Sequence, residues 1–435
     1  MKNVRVIFAV LLAVGLSWSC AKSNPNFEDF DFDGSSTYDG PRQDRSVTEE
    51  SRRVLIMYSA GFNSLAGYLE EDITDLTNGY VPIDSRNADV LLIISRLAPG
   101  YKQYSTPVSP VLIRLTREEG QETKRDTIKV WPAASAVTSP SFMREALEYI
   151  RDEFPAKSYG LVYSSHGSGW LPPKYYADPS KFEPGSGFWS MGKRRTYPAI
   201  EEFPAVKSLG QDEGNPYYEM EIKDLGGVFP MHLDYFIVDA CLMGCVELAY
   251  EVRDYCDYIA FSQTEVLAEG LNYTTLTSHL LEKPTPDIEA VCKDYFNYYD
   301  AKTGSMRSAT MSMIDCRQMD NLASLCATLF AKYQTQLHSI NANAVQRYFR
   351  FDRHYFYDLQ DILLHCGIND QERAALQMAL NKAVRFKAAT PMFLGDFDIN
   401  VYSGFSMYLP ANGTDFLNNY YRENISWNAA TGLVP

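Results

Sequence analysis

The stretch Tyr235-Phe236-Ile237-Val238-Asp239-Ala240-Cys241-Leu242-Met243-Gly244 constrains the fold most. An apolar run with β-branched members leads straight into Asp-Ala-Cys, and Leu242, Val246, Leu248, Ala249 and Val252 then recur at helical spacing. The pattern predicts a buried strand that gives way to a helix, with Cys241 at the turn. A second stretch has the same design: Tyr159-Gly160-Leu161-Val162-Tyr163-Ser164-Ser165-His166-Gly167-Ser168-Gly169-Trp170 is a strand ending in His-Gly. Continuous apolar strands are buried on both faces, the mark of a parallel sheet under helices. In such sheets ligands are handled where strand C-termini meet helix N-termini. A thiol at the head of a helix would also feel the positive end of the backbone dipole, which favours thiolate.

Along the chain, strand signals at Val54 to Tyr58, Val90 to Ile94 and Val111 to Leu115 alternate with helical patterns at Leu65 to Leu76 and Ser141 to Phe154. Between Trp170 and Pro230 the periodicity fails under repeated Pro and Gly, so residues 170–230 are expected as an irregular loop, with Lys193-Arg194-Arg195 inside it. Beyond the cysteine, Tyr258 to Ser262 reads as a strand ending in Gln263-Thr264-Glu265, and Ala309 to Ile314 as another. Helices are expected over Ile288 to Tyr299 and Arg317 to Leu337 and through most of Ala342 to Ala388. Residues 396–409 are expected to close the sheet, and 421–435 to form a tail. The predicted class is α/β, a mostly parallel sheet flanked by helices on both faces, in one domain over residues 51–420.

The first twenty residues are set apart as a targeting segment. Lys2 and Arg5 precede an apolar run from Val6 to Leu16, too short to span a bilayer, which ends at Ser17-Trp18-Ser19-Cys20. That ending resembles a bacterial lipoprotein signal, with Cys20 lipidated and the protein exported to the outer membrane or cell surface; ordinary secretion is the alternative. Residues 21–50, rich in Ser, Asn, Asp, Gly and Pro, read as a flexible tether. A net charge of -15 argues against a nucleic-acid partner, which wants a basic face. Eight cysteines show no zinc spacing, and most read as small core residues.

A lone cysteine at a strand end is ordinarily core, but here a His-Gly ends a second strand, and the two supply the parts of a nucleophile and base pair. The flanks of both resemble the clostripain family of cysteine peptidases, in the clan that holds caspases, gingipains and legumains. His166, Gly167 and Gly169 match its His-Gly motif, and Asp239 to Met243 with Glu247 match its Asp-Ala-Cys-Leu-Met motif. Val54 to Tyr58 with Asn63-Ser64-Leu65, and Ser403 to Pro410, resemble its first strand with the following loop and its late strand. The resemblance implies a caspase-like fold and an endopeptidase in which Cys241 attacks the scissile bond and His166 carries the proton. It implies an oxyanion hole from the amides of Gly167 and Cys241. Asp239, two residues before Cys241 and so on the same strand face, would bind a substrate Arg or Lys, unless it only caps the next helix. Glu265 is a second acidic candidate. Trp170 is either a hydrophobic wall for substrate or an ordinary packing residue. Lys193, Arg194 and Arg195 are either a self-cleavage site or a charged turn. Calcium dependence occurs in the family, but no Asp-x-Asp-x-Asp-Gly loop is present and no metal or cofactor is expected from the residues. The expected partners are protein or peptide substrates and, through the lipid, a membrane; the protein is expected to be a monomer. The competing reading is a non-catalytic surface lipoprotein on the same scaffold that binds peptide or glycan.

Overall fold

The computed structural model describes residues 52–83, 89–100, 103–175, 179–183, 206–207, 211–213, 218–349 and 354–435. The expected signal segment, tether and Cys20 lie outside them, as do Lys193, Arg194 and Arg195.

Nine strands form the central sheet: β1 (Arg53–Gly61), β2 (Val90–Leu97), β3 (Val111–Thr116), β4 (Lys124–Val130), β5 (Ser158–Ser164), β6 (Leu233–Asp239), β7 (Cys256–Phe261), β8 (Thr310–Asp315) and β9 (Val384–Ala389). Their spatial order is β9-β8-β7-β6-β5-β1-β2-β3-β4. The five middle strands, from β7 to β2, run parallel, and antiparallel pairs extend both edges. All residues of β1, β6 and β7 are buried, as the unbroken apolar runs predict for strands covered on both faces.

Among the described residues, the α-helices of six residues or more are α1 (Ala66–Asn78), α2 (Pro140–Glu153), α3 (Val246–Glu251), α4 (Ile288–Asp300), α5 (Met319–Lys332), α6 (Leu359–His365), α7 (Asp370–Ala383), α8 (Asp415–Asn424) and α9 (Ser426–Thr431). One group joins α1 and α4 through the segment Tyr273–Thr277 to Glu282, while α3, α5, α7 and α9 pack on one another as a second group. Helix α2 starts at a side-chain cap, Ser139 Oγ accepting from the Phe142 amide at 3.3 Å, and buries Phe142, Met143, Ala146, Leu147 and Ile150 at helical spacing.

One strand went unread in the sequence, and three sequence expectations need correction. Strand β4 was hidden because Lys-Arg-Asp-Thr-Ile-Lys-Val shows almost no apolar alternation; it is an exposed edge whose charges deter further pairing. Val384 to Ala389 is not helical but the strand at the opposite edge, bulged where it meets β8. Residues 396–409 do not close the central sheet. They form short ladders, Phe397–Asp398 with Met392–Phe393 and Ser406–Met407 with Tyr357–Asp358, and dock on the cysteine loop through Ser406 N donating to Gly244 O at 2.9 Å. Finally, residues 421–435 are no tail, because Tyr421, Trp427, Leu433 and Val434 are buried in the core and α9 packs on α3 and α5.

Among the described residues no helix is long and apolar enough to cross a membrane.

Candidate active site

Pairing between β5 and β6 sets Asp239 opposite Ser164. Cys241 lies two residues beyond Asp239 and His166 two beyond Ser164, so the same register carries both to the C-terminal edge of neighbouring strands. Parallel neighbours are ~4.8 Å apart, and no intervening element separates the two. The approach is close enough to demand glycine: a Cβ on Gly167 would stand 2.3 Å from Cys241 O and 2.9 Å from Ala240 Cβ. Gly169, at φ +58°, would put a Cβ 2.7 Å from Leu242 O. The His-Gly-Ser-Gly pattern is thus a requirement of the backbone crossing the cysteine loop.

The cysteine loop is held in a strained form. Leu242 has φ +61°, unusual for a branched residue, and is buried with its amide donating to Thr264 O at 2.9 Å. Gly244 donates to Ser262 O at 2.7 Å, and a Cβ there would lie 2.6 Å from Gln263 N. Behind it, Gln263 Nε2 donates to Ser312 Oγ at 2.6 Å and to Gly404 O at 2.7 Å. These bonds anchor both sides of Cys241 to a rigid, satisfied polar layer.

Cys241 is buried, and its sulfur accepts from Val266 N at 3.1 Å, a fixed backbone donor facing any negative charge on sulfur. Helix α3 begins only at Val246, with Cys245 as its N-cap, so Cys241 does not sit at a helix N-terminus and Cys241 and Cys245 do not share a helix. The expected dipole effect therefore does not apply. Six described residues of helix are too few and too distant, and the sulfur's donor is the Val266 amide instead.

His166 Nε2 lies 3.2 Å from Ser64 Oγ, in the loop after β1. Sequence reading placed Ser64 in that loop without a role; only the parallel pairing of β1 with β5 reveals the contact.

Asp239 is buried, and its Oδ2 accepts from Tyr273 OH at 2.7 Å and Ser164 Oγ at 3.1 Å. Its side chain does not cap α3, whose N-cap is Cys245. Glu265 is also buried, immediately before Val266. Neither tyrosine in this neighbourhood was singled out from sequence. Tyr273 and Tyr295 are both 1% exposed. Burial, then Asp239 and Cys241, push the Tyr295 hydroxyl well above its ordinary pKa.

Trp170 is fully buried, its ring 4.6 Å from Tyr408 and 5.2 Å from Tyr421. It offers no face to a substrate, and of its two expected roles the packing one is what the structure displays. The same aromatic group surrounds Glu247, whose Oε1 accepts from Tyr408 N at 2.9 Å and Tyr421 OH at 2.8 Å. Burial pushes its carboxyl up to about 7, against the pull of those bonds.

The short strand Val206–Lys207 pairs antiparallel with Val266–Leu267, so a piece of the loop between the His and Cys motifs lies on the strand that contacts the sulfur. A separate cavity of about 660 Å³, lined by Gln346, Arg347, His354 and Asp398 among others, includes neither His166 nor Cys241. Among the described residues no group of three or more His, Cys, Asp or Glu could hold a metal ion.

The sheet and the site have counterparts among known proteins. Clostripain from Hathewaya histolytica is 23% identical over 223 residues, 48% of this chain and 38% of that protein, so the aligned stretch spans well under half of that relative. An inactive zymogen C11 protease from Parabacteroides distasonis superposes with a TM-score of 0.70 at 26% identity, covering 88% of this chain and 99% of the other. A secreted C11 cysteine protease from Bacteroides thetaiotaomicron, solved with an irreversible peptide inhibitor, superposes with a TM-score of 0.68 at 24% identity, covering 87% and 98%. The profile of the clostripain family, peptidase family C11, matches residues 57–181 and 188–423 and so takes in both strand ends that carry His166 and Cys241; the chain belongs to that family.

Proposed function

We propose that the protein is a cysteine endopeptidase that cuts peptide bonds after basic residues. The observation that carries the reading is the shared register of β5 and β6, which brings His166 and Cys241 to one edge of the sheet. Cys241 Sγ attacks the scissile carbonyl, forming the S–C bond, and the carbonyl oxygen takes the negative charge. The amides of Gly167 and Cys241 donate to that oxygen. His166 takes the thiol proton as Sγ attacks and delivers it to the leaving nitrogen as the C–N bond breaks. It then takes a proton from the water that attacks the thioester and returns it to Sγ as the S–C bond breaks. Asp239 supplies the carboxylate for a substrate Arg or Lys, with Glu265 as a second acidic group at the pocket.

The pairing of Val206–Lys207 with Val266–Leu267 supports a self-processing reading, in which the loop covers the strand beside Cys241 until it is cut. Lys193, Arg194 and Arg195, thirteen to eleven positions upstream of Val206, are the proposed cleavage site. The P. distasonis relative is itself described as an inactive zymogen. We place the protein at the outer membrane or cell surface through lipid on Cys20; Cys20→Ser should move it from the membrane to the soluble fraction.

The test compares the full chain with Cys241→Ala on fluorogenic peptides that differ only in Arg, Lys, Asp or Leu before the scissile bond, and follows both chains on a denaturing gel. Turnover after Arg or Lys that vanishes in Cys241→Ala, with a cut between residues 184 and 205 only in the active chain, is expected. A folded chain with no turnover on any peptide points instead to a peptide- or glycan-binding lipoprotein.

A further inference from the structure

The surroundings of Asp239 bear on which basic residue is accepted, an inference that rests on the reading of Asp239 just given. A carboxylate oxygen has two in-plane lone pairs, and Oδ2 of Asp239 already accepts two donors, Tyr273 OH at 2.7 Å and Ser164 Oγ at 3.1 Å. Both donors are fixed: Tyr273 opens a buried helical turn, and Ser164 is the last residue of β5, paired with Asp239 itself. A guanidinium binds a carboxylate best as a fork, one N–H to each oxygen, and that arrangement would have to displace one of these hydroxyls. An ammonium is a compact charge with three tetrahedral donors and needs only one carboxylate contact and other acceptors around it. One such acceptor is present. The hydroxyl of Tyr295 is buried on α4 beside the Ser262 side chain, which leaves it a lone pair to accept with, and its ring stands edge-on to Tyr299 at 4.9 Å. Ser262, whose carbonyl accepts from Gly244 N of the cysteine loop at 2.7 Å, ties that hydroxyl to the site, and Asp239 and Cys241 both push its pKa up.

We infer that the specificity pocket selects lysine over arginine at the cleaved bond, with Tyr273 and Ser164 blocking the guanidinium fork on Asp239 and the Tyr295 hydroxyl serving as a second acceptor for the ammonium. Tyr273 and Ser164 act through Asp239 and are positioning residues, whereas Tyr295 would touch the substrate.

The experiment measures kcat/KM on the active full chain for two peptides identical except for Lys or Arg before the scissile bond. Losing one of two charge-assisted hydrogen bonds is worth ~10-fold, so Lys should be favoured by about that factor. Tyr273→Phe frees a lone pair on Oδ2 and should bring the ratio towards unity by raising Arg turnover relative to Lys. Ser164→Ala should act the same way, and it decides the matter if Tyr273→Phe does not fold. Tyr295→Phe should lower Lys turnover by roughly the same factor and leave Arg unchanged. A purely structural role for these residues would lower both peptides together and leave the ratio where it was. Arg turned over as well as Lys by the native chain, or a ratio unmoved in both Tyr273→Phe and Ser164→Ala, overturns this inference alone. Cleavage after neither basic residue overturns it together with the reading of Asp239.

Discussion

Two buried carboxylates flank Cys241 in the chain, and their surroundings differ. Asp239, in front of it on β6, is bound by hydroxyls from Ser164 on the neighbouring strand and from Tyr273. Glu247, behind it on α3, is bound by the Tyr408 amide, 161 residues along the chain, and by the Tyr421 hydroxyl, 174 residues along. The front carboxylate belongs to the strand ends where the backbone of His166 and Gly167 also arrives. The back one belongs to a brace in which Trp170 from the histidine loop, Glu247 from the cysteine helix and Tyr408 and Tyr421 from the C-terminus share one aromatic cluster. Equal burial of the same chemical group therefore fixes the mutual position of two loops on one side, while on the other it holds the carboxylate that we propose binds substrate.

The largest expected contrast comes from the front. His166→Ala should lower kcat by ~10²–10⁴-fold, the usual worth of a positioned proton carrier, while the urea midpoint stays near that of the native chain. Comparable losses of activity and stability would mean that front and back are one structural unit.

At the back, Trp427→Ala removes a fully buried ring packed on Tyr250 and Phe330, and should cost about 3–5 kcal/mol in urea unfolding. Turnover per folded molecule should persist. A near-neutral result would restore the view of residues 421–435 as a tail.

Glu247 gives the brace a pH dependence whose sign is set by its raised pKa. The folded chain holds a proton on this group that the unfolded chain releases between about 4.5 and about 7, so the stability it confers is present in acid and is lost as pH rises through that window. The change amounts to about 3 kcal/mol. Glu247→Gln keeps an acceptor for Tyr408 and Tyr421 and cannot ionise, so the variant should gain on the native chain as pH climbs, with the two melting curves converging near pH 5. Parallel stability profiles for the two chains would show that Glu247 is not the group that titrates.

Tyr421→Phe is the smallest of these. It removes one of the two donors to Oε1, costs about 1 kcal/mol, and shifts the Glu247 transition further up in pH, because a bond that favoured the ionised form is gone.

Much of the site was legible in the sequence because it lies on unbroken apolar strands. Tyr235 to Asp239 and Tyr159 to Ser164 can only be buried strands, and the residues just beyond each must emerge at the same edge of a parallel sheet. The glycines of His-Gly-Ser-Gly entered through the family resemblance, and only the structure shows the cysteine loop filling the space their side chains would need. Short-range rules misled where the decisive partner was far away. The run after Cys241 keeps helical periodicity, yet Leu242 turns left-handed and Gly244 bonds to Ser262, so the helix starts at Val246, five residues beyond the expected turn. Val384 to Ala389 could continue α7 by pattern but gains a ladder to β8 instead.

The sequence by itself determined the parallel core, the two strand ends and the candidate residues on them, because hydrophobic periodicity and β-branching act locally. Tertiary structure alone decided what surrounds those residues. The Val266 amide on the Cys241 sulfur, Ser64 beside His166, the two hydroxyls on Asp239 and the C-terminal brace on Glu247 each join segments distant in the chain. Such contacts depend on strand order and loop closure, which no local pattern encodes, and they are formed only when the whole core packs.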